Sequence, residues 1–388
     1  MKKKIVILGS TGSIGKNTLN ILRNDQKNFE IFLLSANKNI SLLLKQAKEF
    51  NVKNLIINNN KKFNFVKKKY KNLKINFYNS FLDIDKILNK KKIFYSMISI
   101  NGIDGLLPTI RLIKFTKNIA IANKESLICG WGLISNQLKK FNTYFIPVDS
   151  EHFSIFSLIN DNDTNRVEKV YITASGGPFL NKKKNFLKTV TKQQALNHPN
   201  WNMGNHITIN SSSMMNKVFE AIEVKKIFNI KLKNVSILTH PKSYIHAIVK
   251  FKNGLVKILT HEPDMKIPIF NSIYFGKKKY FNSKKINFEI LNNPTLNKIN
   301  YNKFPLVKIL NNIPEKESLY ETVIVAINDY FVNKFLNDQI KYSEMLKLIY
   351  MYCNDKIFLK YKYIRVKNII DIYNLKKYID LKLNELSV

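Results

Sequence analysis

The sequence predicts an α/β chain in three parts. An N-terminal doubly wound parallel sheet covers residues 1–149, a middle α+β domain 150–275 and a C-terminal helical domain 301–388, with the Lys/Asn-rich stretch 276–300 as a linker. Three observations predict this. Between residues 5 and 148, short apolar runs suited to buried strands alternate with stretches of helical period, the pattern of a parallel sheet covered by helices. Around 241–260 the pattern becomes a hairpin, with Tyr244–Phe251 and Leu255–Leu259 flanking the turn residues Asn253 and Gly254. Beyond it lie three apolar patterns of helical period, at about 317–336, 343–352 and 367–386.

The first strand is the run Ile5–Leu8, apolar at every position, as a strand buried on both faces must be. Gly9, Gly12 and Gly15 follow, and Ile14, Leu19, Ile21 and Leu22 then mark a helix. A second strand, Ile31–Leu34, leads to a helix through Leu42, Leu43, Leu44 and Ala47 and a third strand near Leu55–Ile57. Further strands are expected at Phe94–Ile100, Ile119–Ala122 and Tyr144–Val148. No internal repeat is visible.

With 388 residues, 45 % hydrophobic and 23 % charged, the chain is a folded globular protein rather than a disordered, collagen-like or staple-dependent one. The formal charge of +37 points on its face to nucleic acid, an anionic membrane or phosphorylated substrates. Only four basic residues are arginine (Arg23, Arg111, Arg166 and Arg365), although planar guanidinium is the preferred reader of phosphates and bases. The lysines, with abundant Asn, Ile, Phe and Tyr, read as AT-rich codon usage on a solvated surface, so nucleic acid is not the expected partner. Cys129 and Cys353 stand far apart with no CxxC, which fits a reducing compartment and no structural zinc. The apolar run after Met1–Lys4 is too short for a signal peptide, and none approaches the roughly 18 residues of a membrane span. The expected location is the cytoplasm.

The spacing of Gly9, Gly12 and Gly15 departs from GxGxxG but keeps its mechanics: a tight turn delivering a pyrophosphate to a helix N-terminus. The alternative is a tight strand-to-helix turn with no ligand. The second strand ends in Ser35-Ala-Asn37-Lys38-Asn39, with no acid to take ribose hydroxyls, which favours NADPH over NADH. All six histidines fall between 152 and 261, marking the middle domain as the reacting one, although each taken singly is more often structural.

Asp149 and Glu151 follow an apolar strand, and alternate residues of an extended segment point the same way, so both carboxylates are expected to face one cation. Between Glu168 and Glu220 there is no acid at all, and the stretch offers Ser175, Gly176, Gly177, His198, Ser211, Ser212, Ser213, Asn216 and Lys217, donors suited to a phosphate. A helix expected from Ser211 puts Met215, Val218, Phe219 and Ile222 on one face and Asn216, Glu220 and Glu223 on another. Lys217 beside Glu220 is either a plain helix ion pair or part of a site. Asp149, Glu151 and Glu220 together would suit Mg²⁺ or Mn²⁺ rather than zinc. Trp201, in the polar run 198–204, is a lid over substrate or cofactor, or a local packing residue.

Taken in order, nine segments resemble the 1-deoxy-D-xylulose 5-phosphate reductoisomerase family: GSTGSIG at 9–15, GLLPT at 105–109, ANKESL at 122–127, PVDSEH at 147–152, SGGPF at 175–179, HPNWNMG at 198–204, MMNKVFEAIE at 214–223, HPKSYIH at 240–246 and EPDM at 262–265. The resemblance implies a Rossmann-like NADPH-binding domain, a middle catalytic and dimerisation domain and a helical tail. It also implies an NADPH-dependent, divalent-metal-dependent oxidoreductase of non-mevalonate isoprenoid biosynthesis, acting as a homodimer on a small phosphorylated sugar. The family's reaction rearranges the carbon skeleton of 1-deoxy-D-xylulose 5-phosphate by retro-aldol cleavage and re-aldolisation. It then reduces the branched aldehyde to 2-C-methyl-D-erythritol 4-phosphate.

Carried over by motif, the resemblance implies that Thr11, Gly12, Ser13 and Ile14 hold the NADPH pyrophosphate and Asn37, Lys38 and Asn39 its adenosine phosphate end. Asn123, Glu125 and Gly204 would lie on the nicotinamide side. Asp149, Glu151 and Glu220 match the metal ligands. Lys124, Ser150 and Glu151 would meet the substrate's hydroxyl and carbonyl end, and Ser175, His198, Ser211, Asn216 and Lys217 its far end and phosphate, with Trp201 and Glu220 also against substrate. Catalytic roles would fall to Lys124, Glu151 and His198. The sequence departs from the family pattern at Asn37, where glycine is usual, at 99–105, where a small-residue run is replaced, and at Asn210, where aspartate is common. The helical tail matches weakly, with Ala326-Ile-Asn328-Asp329 the clearest remnant. Two rivals are another two-domain NADPH dehydrogenase, such as a semialdehyde or homoserine dehydrogenase, and a basic polyanion-binding protein. A simple hydride transfer needs no metal triad, and no nucleic-acid motif is present.

Overall fold

The computed structural model describes residues 1–159, 164–201 and 203–386. Asn202 of the HPNWNMG segment lies outside the described residues. The chain forms two compact units, Met1–Leu127 with Gly132–Asp149 and Met265–Phe281, and Ile128–Trp131 with Ser150–Asp264 and Asn282–Val388.

The first unit alternates strand and helix: β1 (Lys3–Leu8), α1 (Ser13–Arg23), β2 (Phe29–Ala36), α2 (Ile40–Glu49), β3 (Asn54–Ile57), α3 (Asn60–Lys69), β4 (Asn76–Tyr78), α4 (Ile84–Leu88), β5 (Ile93–Ile98), α5 (Leu106–Ile113), β6 (Thr116–Ile121), α6 (Lys124–Phe141) and β7 (Tyr144–Pro147). The seven strands pair in parallel in the order β4-β3-β2-β1-β5-β6-β7, the doubly wound plan with its reversal beside β1. Ile5 faces Ile31 on one side and Tyr95 on the other, and Ile5, Val6, Ile7 and Leu8 are fully buried. A strand covered by helices on both faces has no polar side, hence its unbroken apolar run.

The second unit contains α7 (Ser150–Ile159), β8 (Val167–Ala174), α8 (Lys192–Leu196), α9 (Asn205–Ser212), α10 (Met215–Phe228), β9 (Val235–Thr239), β10 (Ile245–Phe251) and β11 (Val256–Thr260). After α11 (Lys266–Ile273), which belongs to the first unit, come α12 (Phe288–Asn292), β12 (Asn297–Lys298), α13 (Tyr320–Leu336), α14 (Tyr342–Cys353), α15 (Lys356–Leu359) and α16 (Ile369–Leu386). Its sheet has the order β11-β10-β8-β9-β12. The expected hairpin is present, with β10 and β11 antiparallel about Asn253 and Gly254, and the three expected C-terminal helices are α13, α14 and α16. Among the described residues no helix is long and apolar enough to cross a membrane.

Three expectations change. The stretch 276–300 is not a bare linker, since 276–281 packs with the first unit and α12 and β12 lie within the rest. No helix begins at Ser211: α9 ends at Ser212, and α10 starts at Met215 after a corner where Met214 has φ +65°. Lastly, Asp149 and Glu151 do not share an extended segment, because Glu151 stands in the first turn of α7.

Candidate active site

In the first unit, β1 runs into the loop carrying Thr11 and Gly12. Ser35 at the end of β2 holds this loop: its hydroxyl accepts from Gly9 N and its carbonyl from Ser10 N, each at 2.9 Å. Gln46 on α2 locks Ser10 from the other side, accepting from its hydroxyl at 2.8 Å and donating to its carbonyl at 3.0 Å. Gly12 is the N-cap of α1 and brings no side chain to cap it, so the N–H groups of Ser13, Ile14 and Gly15 present the positive end of the helix dipole. Gly15 is required by packing, because a Cβ there would lie 2.5 Å from the carbonyl oxygen of Gly9 and the Cα of Ser10.

Asn37, Lys38 and Asn39 follow β2 and are exposed. The Asn39 side chain caps α2, accepting from Leu42 N at 3.2 Å. Asn37 is not among the positive-φ residues, so this backbone does not demand the glycine usual in the family.

Asn123, Lys124 and Glu125 open α6. Asn123 is buried, its amide donating to the carbonyls of Ile100 and Gly102 and its oxygen accepting from Ser126 N at 2.5 Å as a helix cap. It thereby binds the 100–102 turn to the helix start. Lys124 Nζ lies 2.5 Å from Asp149 Oδ2. Burial pushes the Glu125 carboxyl up from its ordinary value, against its own backbone, Lys124 and the Gly102 backbone.

The second unit gathers the other carboxylates. Ser150 Oγ donates to Glu151 Oε2. Lys217 Nζ donates to Glu151 Oε1 at 2.5 Å and to Glu220 Oε2 at 2.6 Å, and Asn216 Nδ2 to Glu220 Oε1 at 2.5 Å. The Lys217–Glu220 pair is thus more than a helix-surface ion pair: the side chains are 8 % and 1 % exposed, and the lysine bridges two elements. Oxygens of Glu151 and Glu220 come within 4.8 Å of each other, and the chain places Asp149 two residues ahead of Glu151. Sequence reasoning missed the support beneath this cluster. His152 Nε2 meets the Glu220 carbonyl at 3.0 Å and lies 3.8 Å from Glu223 Oε2, and both side chains are buried. The clustering of histidines was the available signal.

The acid-free stretch converges on His198. Its Nδ1 accepts from the backbone N–H groups of Asn200 at 3.1 Å and Trp201 at 3.0 Å. Nδ1 is therefore unprotonated and Nε2 carries the proton, facing the hydroxyls of Ser175 and Ser211, each at 3.1 Å. Burial, helped by the Lys217 charge, pushes the imidazole down to about 4, so it is a neutral Nε2–H donor near pH 7. Asn200 anchors the turn, its amide donating to the Pro241 carbonyl at 2.6 Å and to Ser243 Oγ at 2.8 Å. The Trp201 ring meets His246 edge-on at 6.3 Å. Gly204 forms the N-cap of α9.

The family model for 1-deoxy-D-xylulose 5-phosphate reductoisomerase matches residues 5–131, and models for the C-terminal domains of that enzyme match 145–228 and 261–379. The enzyme of that name from Pelagibacter ubique is 54 % identical over 387 residues, covering 100 % of both chains. The chain belongs to the 1-deoxy-D-xylulose 5-phosphate reductoisomerase family. The reductoisomerase of Phocaeicola vulgatus is 37 % identical over 90 % of this chain and 91 % of its own. Among solved structures, the Zymomonas mobilis reductoisomerase in complex with NADPH aligns with TM-score 0.87 at 27 % identity, covering 100 % of this chain and 99 % of that one. A reductoisomerase in complex with NADPH, fosmidomycin and magnesium aligns with TM-score 0.90 at 25 % identity, covering 99 % and 97 %. Membership in the reductoisomerase family displaces the plain dehydrogenase and the polyanion-binding protein as readings of the sequence.

Proposed function

We propose that this protein converts 1-deoxy-D-xylulose 5-phosphate to 2-C-methyl-D-erythritol 4-phosphate with NADPH and Mg²⁺ or Mn²⁺, in non-mevalonate isoprenoid biosynthesis. The observation that carries the reading is the buried convergence of Glu151 and Glu220 on one positive charge, the Lys217 ammonium, beside the neutral His198 donor. Two carboxylates that gather around an ammonium fit a small hard cation, and an all-oxygen donor set completed by Asp149 suits Mg²⁺ or Mn²⁺. Such a cation polarises the substrate carbonyl and stabilises enediolate charge.

The uncapped start of α1 and the turn packed by Gly15 fit a pyrophosphate, and Thr11, Gly12, Ser13 and Ile14 line it. Lys38, exposed between Asn37 and Asn39 after a strand with no acid at its end, suits a 2′-phosphate. NADPH supplies the hydride. Asn123 and Glu125, at the start of α6, and Gly204 take the nicotinamide side.

At the substrate's far end, Ser175, Ser211, Asn216 and Lys217 donate to the phosphate, and His198 gives its Nε2 proton as a fixed hydrogen bond. With Nδ1 committed to two backbone N–H groups, His198 orients the phosphate rather than shuttling protons. At the reacting end, Ser150 and Glu151 take the substrate oxygens, and the ammonium of Lys124, ion-paired with Asp149, donates to them. Trp201 packs over the bound sugar, excluding water.

A homodimer is supported by β11, which stands at the edge of the second sheet among the described residues and exposes Val256 and Ile258 at 55 % and 51 %, with Leu255 just before it at 57 %. An edge strand offers backbone N–H and C=O groups for pairing with another chain, so a second copy is the fitting cover. Just two cysteines, Cys129 and Cys353, far apart in the sequence with no CxxC, agree with a cytoplasmic setting.

NADPH oxidation is measured with 1-deoxy-D-xylulose 5-phosphate, with and without Mg²⁺ or Mn²⁺, and the product identified by mass and NMR. Metal-dependent appearance of the branched polyol phosphate is expected. NADPH and metal binding with no turnover would sink the substrate assignment.

A further inference from the structure

Ser211 stands between two residues gripped by the C-terminal helices. On one side, Asn328 Nδ2 of α13 donates to Asn210 Oδ1 at 3.0 Å. On the other, the Tyr342 hydroxyl at the start of α14 lies 3.1 Å from Ser212 Oγ. All four side chains are buried. The Tyr342 ring is wedged edge-on against Phe179 at 5.2 Å and Phe335 at 5.6 Å, and Phe179 closes the same loop that carries Ser175. From a third direction Gly177 presses on the serine: a Cβ there would come 3.0 Å from the Ser211 carbonyl oxygen.

A buried amide or phenol is costly unless it is hydrogen-bonded. Phenylalanine would fill the Tyr342 position as well, so the hydroxyl is accounted for by its bond to Ser212. Asn328 reaches Asn210 through its N–H alone, its Oδ1 having no hydrogen-bond partner among the described residues. The two bonds flank one residue, and that residue's hydroxyl faces His198 Nε2 at 3.1 Å.

We propose that Asn328 and Tyr342 are positioning residues that clamp the last turn of α9 and set Ser211 Oγ against His198 for anion binding. The proposal rests on the reading that Ser211 and His198 receive the substrate phosphate. It gives the C-terminal helices a part in substrate recognition.

The test uses the full chain with Tyr342→Phe and Asn328→Ser. The KM for 1-deoxy-D-xylulose 5-phosphate and the inhibition constant of inorganic phosphate should each rise about three- to tenfold, the worth of one hydrogen bond. The kcat and the NADPH dissociation constant should move by less than about twofold. In a Ser211→Ala background Tyr342→Phe should have almost no further effect on KM, because the hydroxyl it positions is gone. An equal rise in KM in both backgrounds overturns the proposal, since a merely structural role would be additive. A second readout needs no substrate: Tyr342→Phe should shift the imidazole ¹⁵N signal of His198 Nε2 and speed exchange of its proton with water. An unchanged signal overturns the proposal. A shifted signal with KM unmoved in every variant, Ser211→Ala included, supports the clamp and defeats the phosphate reading.

Discussion

The ammonium of Lys217 on α10 lies 2.5 Å from Oε1 of Glu151 on α7. That lysine serves two needs: it neutralises carboxylates proposed to hold a cation, and it stands in the stretch proposed to hold a phosphate. A divalent cation on Glu151 and Glu220 would displace the ammonium toward the anion. Mg²⁺ should therefore tighten inorganic phosphate binding, and phosphate should tighten Mg²⁺ by the same factor, roughly five- to a hundredfold if the coupling is of ordinary size. Calorimetric titration of each in the presence of the other checks this. Independent binding would separate Lys217 from one of its two roles.

Replacing Glu220 by Gln removes one carboxylate and one partner of Lys217. Metal-dependent turnover should fall by about a hundredfold or more, since a ligand is lost outright. NADPH affinity, measured by fluorescence titration, should stay nearly intact because its loop belongs to the first unit. Wild-type activity in this variant would defeat the metal assignment.

For His198 the sign of the pH dependence is fixed by burial of the ring, reinforced by the Lys217 charge. Its folded value of about 4 lies below the ordinary value of about 6.5, so the unfolded chain binds more protons between these limits. The contribution of His198 to stability is complete above the ordinary value and is lost as pH falls through that value toward 4. In an NMR titration its ring signals should stay flat from pH 8 to about 5. A midpoint near 6.5 would show that the ring is neither buried nor felt by the Lys217 charge as described.

Gly15→Ala tests the cofactor loop. The added methyl meets the backbone of Gly9 and Ser10 rather than a flexible side chain, so the turn must shift. A loss of about 1–3 kcal/mol in urea unfolding is expected, with at least a tenfold rise in the NADPH dissociation constant. A neutral outcome on both counts would mean that the loop is not a packed pyrophosphate cradle.

Much of the first unit was legible because both-face burial writes itself as unbroken apolar runs, as in Ile5–Leu8, and because Gly9, Gly12 and Gly15 stand where the chain has few glycines. The hairpin at 245–260 was legible from its Asn-Gly turn. β8, β9 and β12 were not anticipated: their pairings join residues far apart in the chain, such as Thr239 with Asn297. The break at Met214 was hidden because a left-handed methionine has no local signature and depends on the packing of α9 and α10. Candidate residues could be named from their order along the chain. The proton on Nε2 of His198 could not, because it follows from the backbone N–H groups of Asn200 and Trp201. Asn328 was legible only as part of the family remnant 326–329 and Tyr342 not at all, for the same reason: their meaning lies in contacts more than a hundred positions away.

The return of Met265–Phe281 to the first unit bears on how the chain is made. Ile269, Ile273 and Tyr274 sit in the same core as Ile5 and Ile31, the Tyr274 hydroxyl donates to Asp25 at 2.7 Å, and Ser272 bonds Tyr95 at 2.7 Å. As the polypeptide emerges from the ribosome N-terminus first, all seven strands of the first sheet leave the exit tunnel before the segment that seals them. Until residue 281 is free, that sheet waits with apolar surface uncovered while the strands of the second unit are being synthesised beside it. Vectorial folding cannot finish one unit before beginning the next, and a fragment cut after Asp149 would keep the nucleotide fingerprint but lack part of its own core.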